Sequence, residues 1–202
     1  MTSLNHNPEV MMKNLIRPAI TLFILISLVT GLLYPLAVTG IAQIAFPEQA
    51  AGSLLKRGDE MIGSILIGQN FSEPTFFWSR PSATSPMPYN AANSGGSNLG
   101  PTNPALIKSV SERIQKLRAS HPGKEDKIPT DLVTTSASGL DPHISPAAAY
   151  YQVERVAAAR GIDVATVQSL VDRSIETPQW GIWGDSRVNV LRLNLALEEL
   201  QK

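Results

Sequence analysis

The hydrophobic pattern divides the chain into two unlike parts. From Pro18 to Pro47 no residue is charged, and the core reads A-I-T-L-F-I-L-I-S-L-V-T-G-L-L-Y-P-L-A-V, Ala19 to Val38. Apolar residues fall on every face of a helix drawn through it. About 20 mostly apolar residues cross a hydrocarbon core, so this run predicts one transmembrane helix with its exit over residues 14–46. Membrane helices tolerate a proline such as Pro35 when neighbours satisfy the freed carbonyl, and Gly31 and Gly40 let another helix approach closely. Tyr34 lies deep for an interfacial anchor and reads either as lipid-facing or as facing a protein partner. A cleaved signal peptide is the rival, because Ala37 to Ala45 holds small residues. A signal apolar region is only about 7–15 residues long, so the retained anchor is preferred. Lys13 and Arg17 precede the span, and positive flanks stay in the cytoplasm. The expected order is a cytoplasmic tail at 1–13, then the span, then a periplasmic domain over 47–202.

The second part alternates between short apolar runs and helical periodicity. Met61 to Gly68, M-I-G-S-I-L-I-G, predicts a buried strand. The aromatics of Phe71 to Pro81 predict core packing, with a contact patch as the alternative. Pro81 to Pro104 is a long loop with five prolines. Loops of this length are usually functional or disordered, and the prolines favour an ordered functional loop. Asn103 as N-cap and Pro104 at N1 open a helix with Leu106, Ile107, Val110, Ile114 and Leu117 on one face. His121-Pro122-Gly123 stops it, and Lys124 to Lys127 reads as a solvated turn. Asp131 to Pro146 begins as a possible strand and then turns. Ser145 and Pro146 open a helix to Arg160, with Gly161 as its stop and Ala149, Val153, Val156 and Ala157 inward. Asp163 caps another, with Val164, Val167, Leu170 and Val171 inward. The end alternates like a strand and reads as helical from about Asn194. The fold class expected is α+β, with helices packed on a small sheet.

Charge narrows the functions open to the chain. Its 17 basic and 17 acidic residues balance, which argues against a nucleic-acid binder, since that needs a basic excess. There is no cysteine, so disulfide and thiolate chemistry are excluded.

Two stretches invite chemistry. Tyr89 to Pro104, Y-N-A-A-N-S-G-G-S-N-L-G-P-T-N-P, is Gly-rich and runs into a helix, as phosphate loops do. A P-loop needs Lys and Ser/Thr directly after its last glycine, whereas Pro101, Thr102 and Asn103 follow Gly100 here. The preferred reading is a tight turn, with glycines supplying positive φ and asparagines bonding to backbone. That turn would scaffold an interaction surface. Direct phosphate contact stays as the alternative. The other stretch is Ser136 to His143, S-A-S-G-L-D-P-H. Ser136 or Ser138 with Asp141 and His143 would suit an anchored hydrolase, but no G-x-S-x-G elbow is present. An Asp turn beside a surface histidine is preferred. The three histidines, His6, His121 and His143, share no helix at metal-ligand spacing, so no metal site is expected.

Taken in order, several segments match a known family. They are M-K-N-L-I-R-P-A, the apolar span, G-S-I-L-I-G-Q-N-F, R-P-S-A-T and P-Y-N-A-A-N-S-G-G-S-N-L-G-P-T-N-P. D-L-V-T-T-S-A-S-G-L-D-P-H-I-S-P-A-A-A and R-V-N-V-L-R-L-N-L-A-L follow. From about residue 12 onward the chain resembles the C subunit of the bacterial Kdp potassium-transporting ATPase, the KdpC family. Residues 1–11 then read as an extension, or Met12 as the start. The resemblance implies a non-catalytic inner-membrane subunit needed for assembly. Its partners would be a potassium-channel-like subunit, a P-type ATPase subunit, a small single-span subunit and membrane lipid, with no nucleic acid. It also implies a catalytic chaperone that raises the ATPase subunit's affinity for ATP, so ATP would be met through that partner and no cofactor is assigned to this chain. A periplasmic loop cannot meet cytoplasmic ATP. Either the effect passes through the membrane by favouring one pump conformation, which is preferred, or the topology is inverted. Candidate partner contacts are Tyr89, Asn90, Asn93, Ser94, Gly95, Gly96, Ser97, Asn98, Gly100 and Pro101. Glu176 to Asp185, E-T-P-Q-W-G-I-W-G-D, departs from the family pattern at Trp180 and Trp183.

Overall fold

A computed structural model describes residues 8–201. The chain forms two compact units, Met1–Ser53 and Leu54–Lys202.

The first unit is helical. Helix α1 runs Pro8–Leu28, a π-helical turn spans Val29–Leu33, and α2 continues over Tyr34–Ala45. The stretch Leu15–Ala45 is long and apolar enough to cross a membrane, and none of it is buried within the protein. Pro35 explains the π turn. Its ring crowds the carbonyl one turn back and it donates no hydrogen bond, and a widened turn absorbs both effects. Thr30 donates from Oγ1 to the Ile26 carbonyl at 2.8 Å, so its hydroxyl is satisfied inside the helix. Pro47 opens a short helix α3, Pro47–Ala50.

The second unit is α+β. Strands β1 (Leu54–Arg57) and β2 (Glu60–Ser64) form an antiparallel hairpin. The expected buried strand at 61–68 is therefore corrected: only its first part is a strand, Met61 is exposed, and residues 65–66 turn. The reason is its place in a two-stranded sheet, which lacks a second covering layer. Helix α4 spans Pro104–Ser120, and a 3₁₀ turn at Thr130–Leu132 replaces the possible strand after Asp131. Leu132 and Val133 are still buried there, so the apolar run reached the core without extending.

Strand β3 (His143–Ile144), helices α5 (Pro146–Arg160) and α6 (Val164–Ser174), strands β4 (Ile175–Glu176) and β5 (Arg187–Asn189), and helix α7 (Val190–Glu199) complete the fold. The sheet order is β3-β5-β4, antiparallel throughout. The cap signals act as the sequence predicts. The side chains of Asn103, Ser145 and Asp163 accept backbone N–H groups at their helix starts, and Gly161 closes α5 at φ +66°. Helix α7 begins earlier than expected, because Asn189 accepts the Arg192 N–H and caps it there.

The core lies where α5, α6 and α7 meet over β5. Ala148, Ala149, Val153, Val156 and Ala157 face Val167, Val171, Val188, Leu193 and Leu197. Each fully buried Val or Leu contributes about 1.5–3 kcal/mol. Two expected inward residues are corrected: Ile107 is 57% exposed and Val164 is 44% exposed. Both lie in the first turn of their helix.

The aromatic stretch is core, as its composition suggested. Phe77 is fully buried, and Phe71 and Trp78 pack against the cluster. Polar side chains clamp its backbone. Asn194 Oδ1 accepts the Phe77 N–H at 2.8 Å, and its Nδ2 donates to the Phe77 carbonyl at 2.9 Å. Gln152 does the same for Trp78. Arg155 donates to the carbonyls of Pro74 and Phe76 and lies 4.2 Å over the Trp78 ring. Burial pulls its pKa down to about 10, so the guanidinium stays charged at neutral pH. Lys124 corrects the solvated turn. Its side chain is mostly covered, over the Tyr151 ring and 3.2 Å from Glu154.

Candidate functional site

Residues 81–103 form an ordered platform laid on the turn at 135–141. Three hydroxyls organise it. Ser82 Oγ donates to the Gly139 carbonyl at 2.7 Å and accepts the Tyr89 N–H at 3.0 Å. Thr84 Oγ1 donates to the Met87 carbonyl at 2.7 Å and accepts the Asn90 N–H at 3.0 Å. Ser94 Oγ donates to the Ser138 carbonyl at 3.0 Å, and the Gly95 N–H donates to the same oxygen at 2.8 Å. Short hydroxyl side chains satisfy backbone groups that a loop cannot pair internally.

The asparagines behave as expected of turn residues. Asn90 and Asn93 both donate from Nδ2 to the Ser85 carbonyl, at 2.8 and 3.1 Å. The glycines do not. Positive φ falls on Tyr89 (58°) and Asn98 (51°), not on Gly95, Gly96 or Gly100. Gly96 is needed for space instead: a Cβ there would stand 2.8 Å from the Ala137 carbonyl oxygen, whereas one on Gly95 would meet nothing within 4 Å. The left-handed glycine is Gly139, at φ +67° on the opposite segment.

Of the candidate contacts, Tyr89 and Asn90 turn inward as braces. Tyr89 donates from its hydroxyl to the Arg80 carbonyl at 2.6 Å, and burial pushes its pKa up to about 12. Gly95 and Gly96 are half-buried. Asn93, Ser94, Ser97, Asn98, Gly100 and Pro101 are exposed. Gly100 accepts the Asn103 N–H at 3.0 Å and leads into α4.

Sequence reasoning missed the support beneath the platform. Gly68 donates its N–H to the Leu140 carbonyl at 2.9 Å, and a Cβ there would collide with the Tyr89 ring at 2.4 Å. Arg80 pairs with Asp141 at 3.0 Å. Burial alone would raise the Asp141 carboxyl. Bonds from the His143 side chain and N–H, then Arg80, outweigh it and hold it below the usual carboxylate value. The signal was present in R-P-S-A-T and S-G-L-D-P, but only folding reveals that the two segments meet.

The hydrolase alternative does not assemble. Ser136 Oγ accepts the Gly139 N–H at 2.9 Å, and Ser138 Oγ accepts the Leu140 N–H at 3.1 Å. The His143 ring faces carboxylates instead, Asp141 at 3.5 Å and Glu176 at 3.8 Å. A cavity beside the platform, of about 290 Å³, is lined by Arg80, Arg113 and Lys116 among others. Each cation already has a protein partner there: Asp141, the Val133 carbonyl and the Trp78 ring. Among the described residues no cluster of His, Asp and Glu has metal-binding geometry.

Among the described residues, one helix long and apolar enough to cross a membrane joins an α+β domain that carries an exposed, hydrogen-bonded platform, an arrangement that fits a single-pass membrane protein. Comparison with known proteins agrees. The family described as K+-transporting ATPase, c chain (KdpC) matches residues 16–199. The Potassium-transporting ATPase KdpC subunit of Polaromonas naphthalenivorans is 60% identical over 190 residues, covering 94% of this chain and 97% of that one. The subunit of the same name from Dechloromonas aromatica is 59% identical over 191 residues, covering 95% of this chain and 100% of that one. That from Variovorax paradoxus is 60% identical over 187 residues, covering 93% and 97%. The chain belongs to the KdpC family. It is a partner-dependent potassium-transport subunit, and catalysis lies in another subunit.

Proposed function

We propose that this chain is the accessory subunit of a high-affinity, ATP-driven potassium uptake complex in a bacterial inner membrane. Its N-terminus is cytoplasmic and its α+β domain periplasmic, as Lys13 and Arg17 before the span favour. It holds the complex together, docking against the channel-like subunit through the exposed rim of the platform, Asn93 to Pro101. The P-type ATPase subunit and a small single-span subunit complete the assembly. The observation that carries this reading is the platform itself. A long polar loop is locked by hydrogen bonds to a distant segment while its outer residues stay exposed, so little ordering entropy remains to be lost on docking.

The chain raises the ATPase subunit's affinity for ATP without touching nucleotide. It binds one pump conformation better than another, and a tenfold rise in affinity requires a difference of only about 1.4 kcal/mol. The test is Gly95→Trp in the full chain. A Cβ on Gly95 meets nothing within 4 Å, so recovery of the channel-like subunit from mild-detergent membranes should fall while the chain's thermal melt is unchanged. Parent-level recovery refutes docking through this rim. Protease added to intact spheroplasts should digest the domain, and a protected domain refutes the topology.

A further inference from the structure

The cavity of about 290 Å³ beside the platform is lined by cations and by no acid. Arg80 lies just before the platform in the chain, and Arg113 and Lys116 stand about one turn apart on α4. Among the described residues no Asp or Glu lines the space. Arg80 has a carboxylate partner, Asp141 at 3.0 Å. The partners of the other two are neutral. Arg113 Nη1 donates to the Val133 carbonyl at 2.9 Å, and Lys116 Nζ lies 5.6 Å from the centre of the Trp78 ring. Glu112 adjoins Arg113 in the chain but pairs with Lys108 at 3.9 Å, in a solvated pair. Burial lowers the Arg113 pKa, and Glu112 offsets only part of that. Among the described residues neither Arg113 nor Lys116 forms an ion pair.

This arrangement is unfavourable while the cavity stays empty of anions. Like charges one turn apart on a helix repel, and covering an uncountered charge adds a desolvation cost. Arg80 supplies a second, independent observation. Its Nε is buried and has no hydrogen-bond partner among the described residues. Buried donors are satisfied by protein, water or an ion in the great majority of structures. The rest of the wall is mixed. Phe71, Trp78 and Leu132 give it an apolar side, and Asn70 and Ser72 add neutral donors. The volume lies at the low end for small-molecule pockets, so it suits a small ligand with one ionic end and one apolar end.

We propose that this cavity binds a phosphate monoester carried on a small apolar or aromatic body. Charge selects the phosphate. A monoester carries about −1.5 to −2 at neutral pH, which matches the two cations that lack an ion pair, whereas a carboxylate or a phosphodiester supplies a single charge. Donor chemistry agrees. Arg113 commits only Nη1 to Val133, so the rest of its fork is available, and the Lys116 ammonium donates in several directions. Bonds from such cations to an anionic oxygen are about twice as strong as neutral ones. Trp78 and Phe71 hold the apolar body. The site is separate from the exposed rim of the platform, and the chain alone suffices to test it.

The test titrates phenyl phosphate into the detergent-solubilised full chain by calorimetry, in phosphate-free buffer near neutral pH. Saturable binding to a single site is expected. Benzoate, with the same ring and a single charge, should bind about tenfold more weakly. Lys116→Gln breaks no backbone bond and should weaken phenyl phosphate by about tenfold, and Arg113→Gln with Lys116→Gln by about a hundredfold. Arg118→Gln with Lys127→Gln removes as much charge outside the cavity and should stay within about twofold of the parent. Dihexanoyl phosphatidic acid, a monoester, and dihexanoyl phosphatidylglycerol, a diester, identify the source. Phosphatidic acid binding tighter than phenyl phosphate, with phosphatidylglycerol weak, places the monoester on a lipid; phosphatidic acid binding no tighter places it on a soluble molecule. Three results overturn the proposal. One is no saturable heat with phenyl phosphate. Another is benzoate binding as tightly, which would make the cavity a seat for a partner's carboxylate. The third is parent-level binding by both Lys116→Gln and the double variant.

Discussion

Gly139→Ala should loosen the platform by an amount that the geometry sets. Gly139 has φ +67°, and holding alanine in that region costs about 1–2 kcal/mol. The new Cβ would stand 2.6 Å from Thr84 Cγ2 and 2.7 Å from the Gly95 carbonyl oxygen. The second contact is with backbone, so the two segments must separate. Separation breaks the Ser82 Oγ bond to the Gly139 carbonyl and the Gly95 N–H bond to Ser138. At about 1 kcal/mol each, the total reaches about 3–4 kcal/mol. Gly161→Ala is the internal control. It has nearly the same φ, +66°, but its Cβ would meet nothing within 4 Å, so it costs only the backbone share. The assay is urea unfolding of the detergent-solubilised full chain, paired with hydrogen exchange at the Gly95 amide. Gly139→Ala should lose about 2 kcal/mol more than Gly161→Ala, with exchange at Gly95 about 30-fold faster. Equal losses in the two variants would refute the argument that the platform is held by close approach at Gly139.

Two further outcomes follow from buried polar groups. Asn194→Ala strips both partners from the Phe77 peptide, leaving a buried N–H and C=O unpaired. The expected loss is about 2–4 kcal/mol by urea unfolding, and a loss under about 0.5 kcal/mol would show that the bonds are idle. His121 should make stability fall in mild acid. Burial lowers its pKa below the ordinary 6.5, a bond to the Leu117 carbonyl opposes this, and Arg155 and Lys124 lower it further. In the neutral ring Nδ1–H donates to Leu117 at 2.8 Å and Nε2 accepts from Arg155 Nε at 3.2 Å. The unfolded chain therefore binds the proton more readily. Stability is fully present above pH about 6.5 and declines as pH falls through and below that value. Unfolding measured from pH 7.5 to 5 should show this slope, and His121→Asn should flatten it. An unchanged slope in the variant would remove His121 as the cause. Asp141, with its lowered pKa, acts in a separate window below pH about 4.

Much of the fold could be read from local chemistry. Asn103-Pro104, Ser145-Pro146 and Asp163 mark helix starts, and Gly161 a helix end, because caps act within a few residues of themselves. The apolar span is legible for the same reason: its length and lack of charge decide that no globular core could hold it. Reading stopped where a residue's role depends on a distant neighbour. Leu132 and Val133 look like a strand but close a 3₁₀ turn, since burial can be reached without extension. Lys124 looks solvated yet covers Tyr151, an aromatic face far along the chain.

The candidate site divides along the same line. Five prolines told that residues 81–104 would be ordered, because proline restricts backbone freedom wherever it sits. They did not tell what the loop rests on. That support is the turn at 135–141, and Gly68, Gly96 and Gly139 are glycines because another segment approaches them there. The exposed Trp180 and Trp183 show the converse. In the sequence they read as a departure from a family pattern, and only the left-handed turn between β4 and β5 leaves them outward. By itself the sequence determined everything set by neighbours along the chain: the span, the caps and the stiffness of the loop. Tertiary structure alone decided which backbone segments lie close enough to forbid a side chain and which aromatic faces remain uncovered. Both are properties of packing between residues far apart in the chain, and no local pattern encodes them.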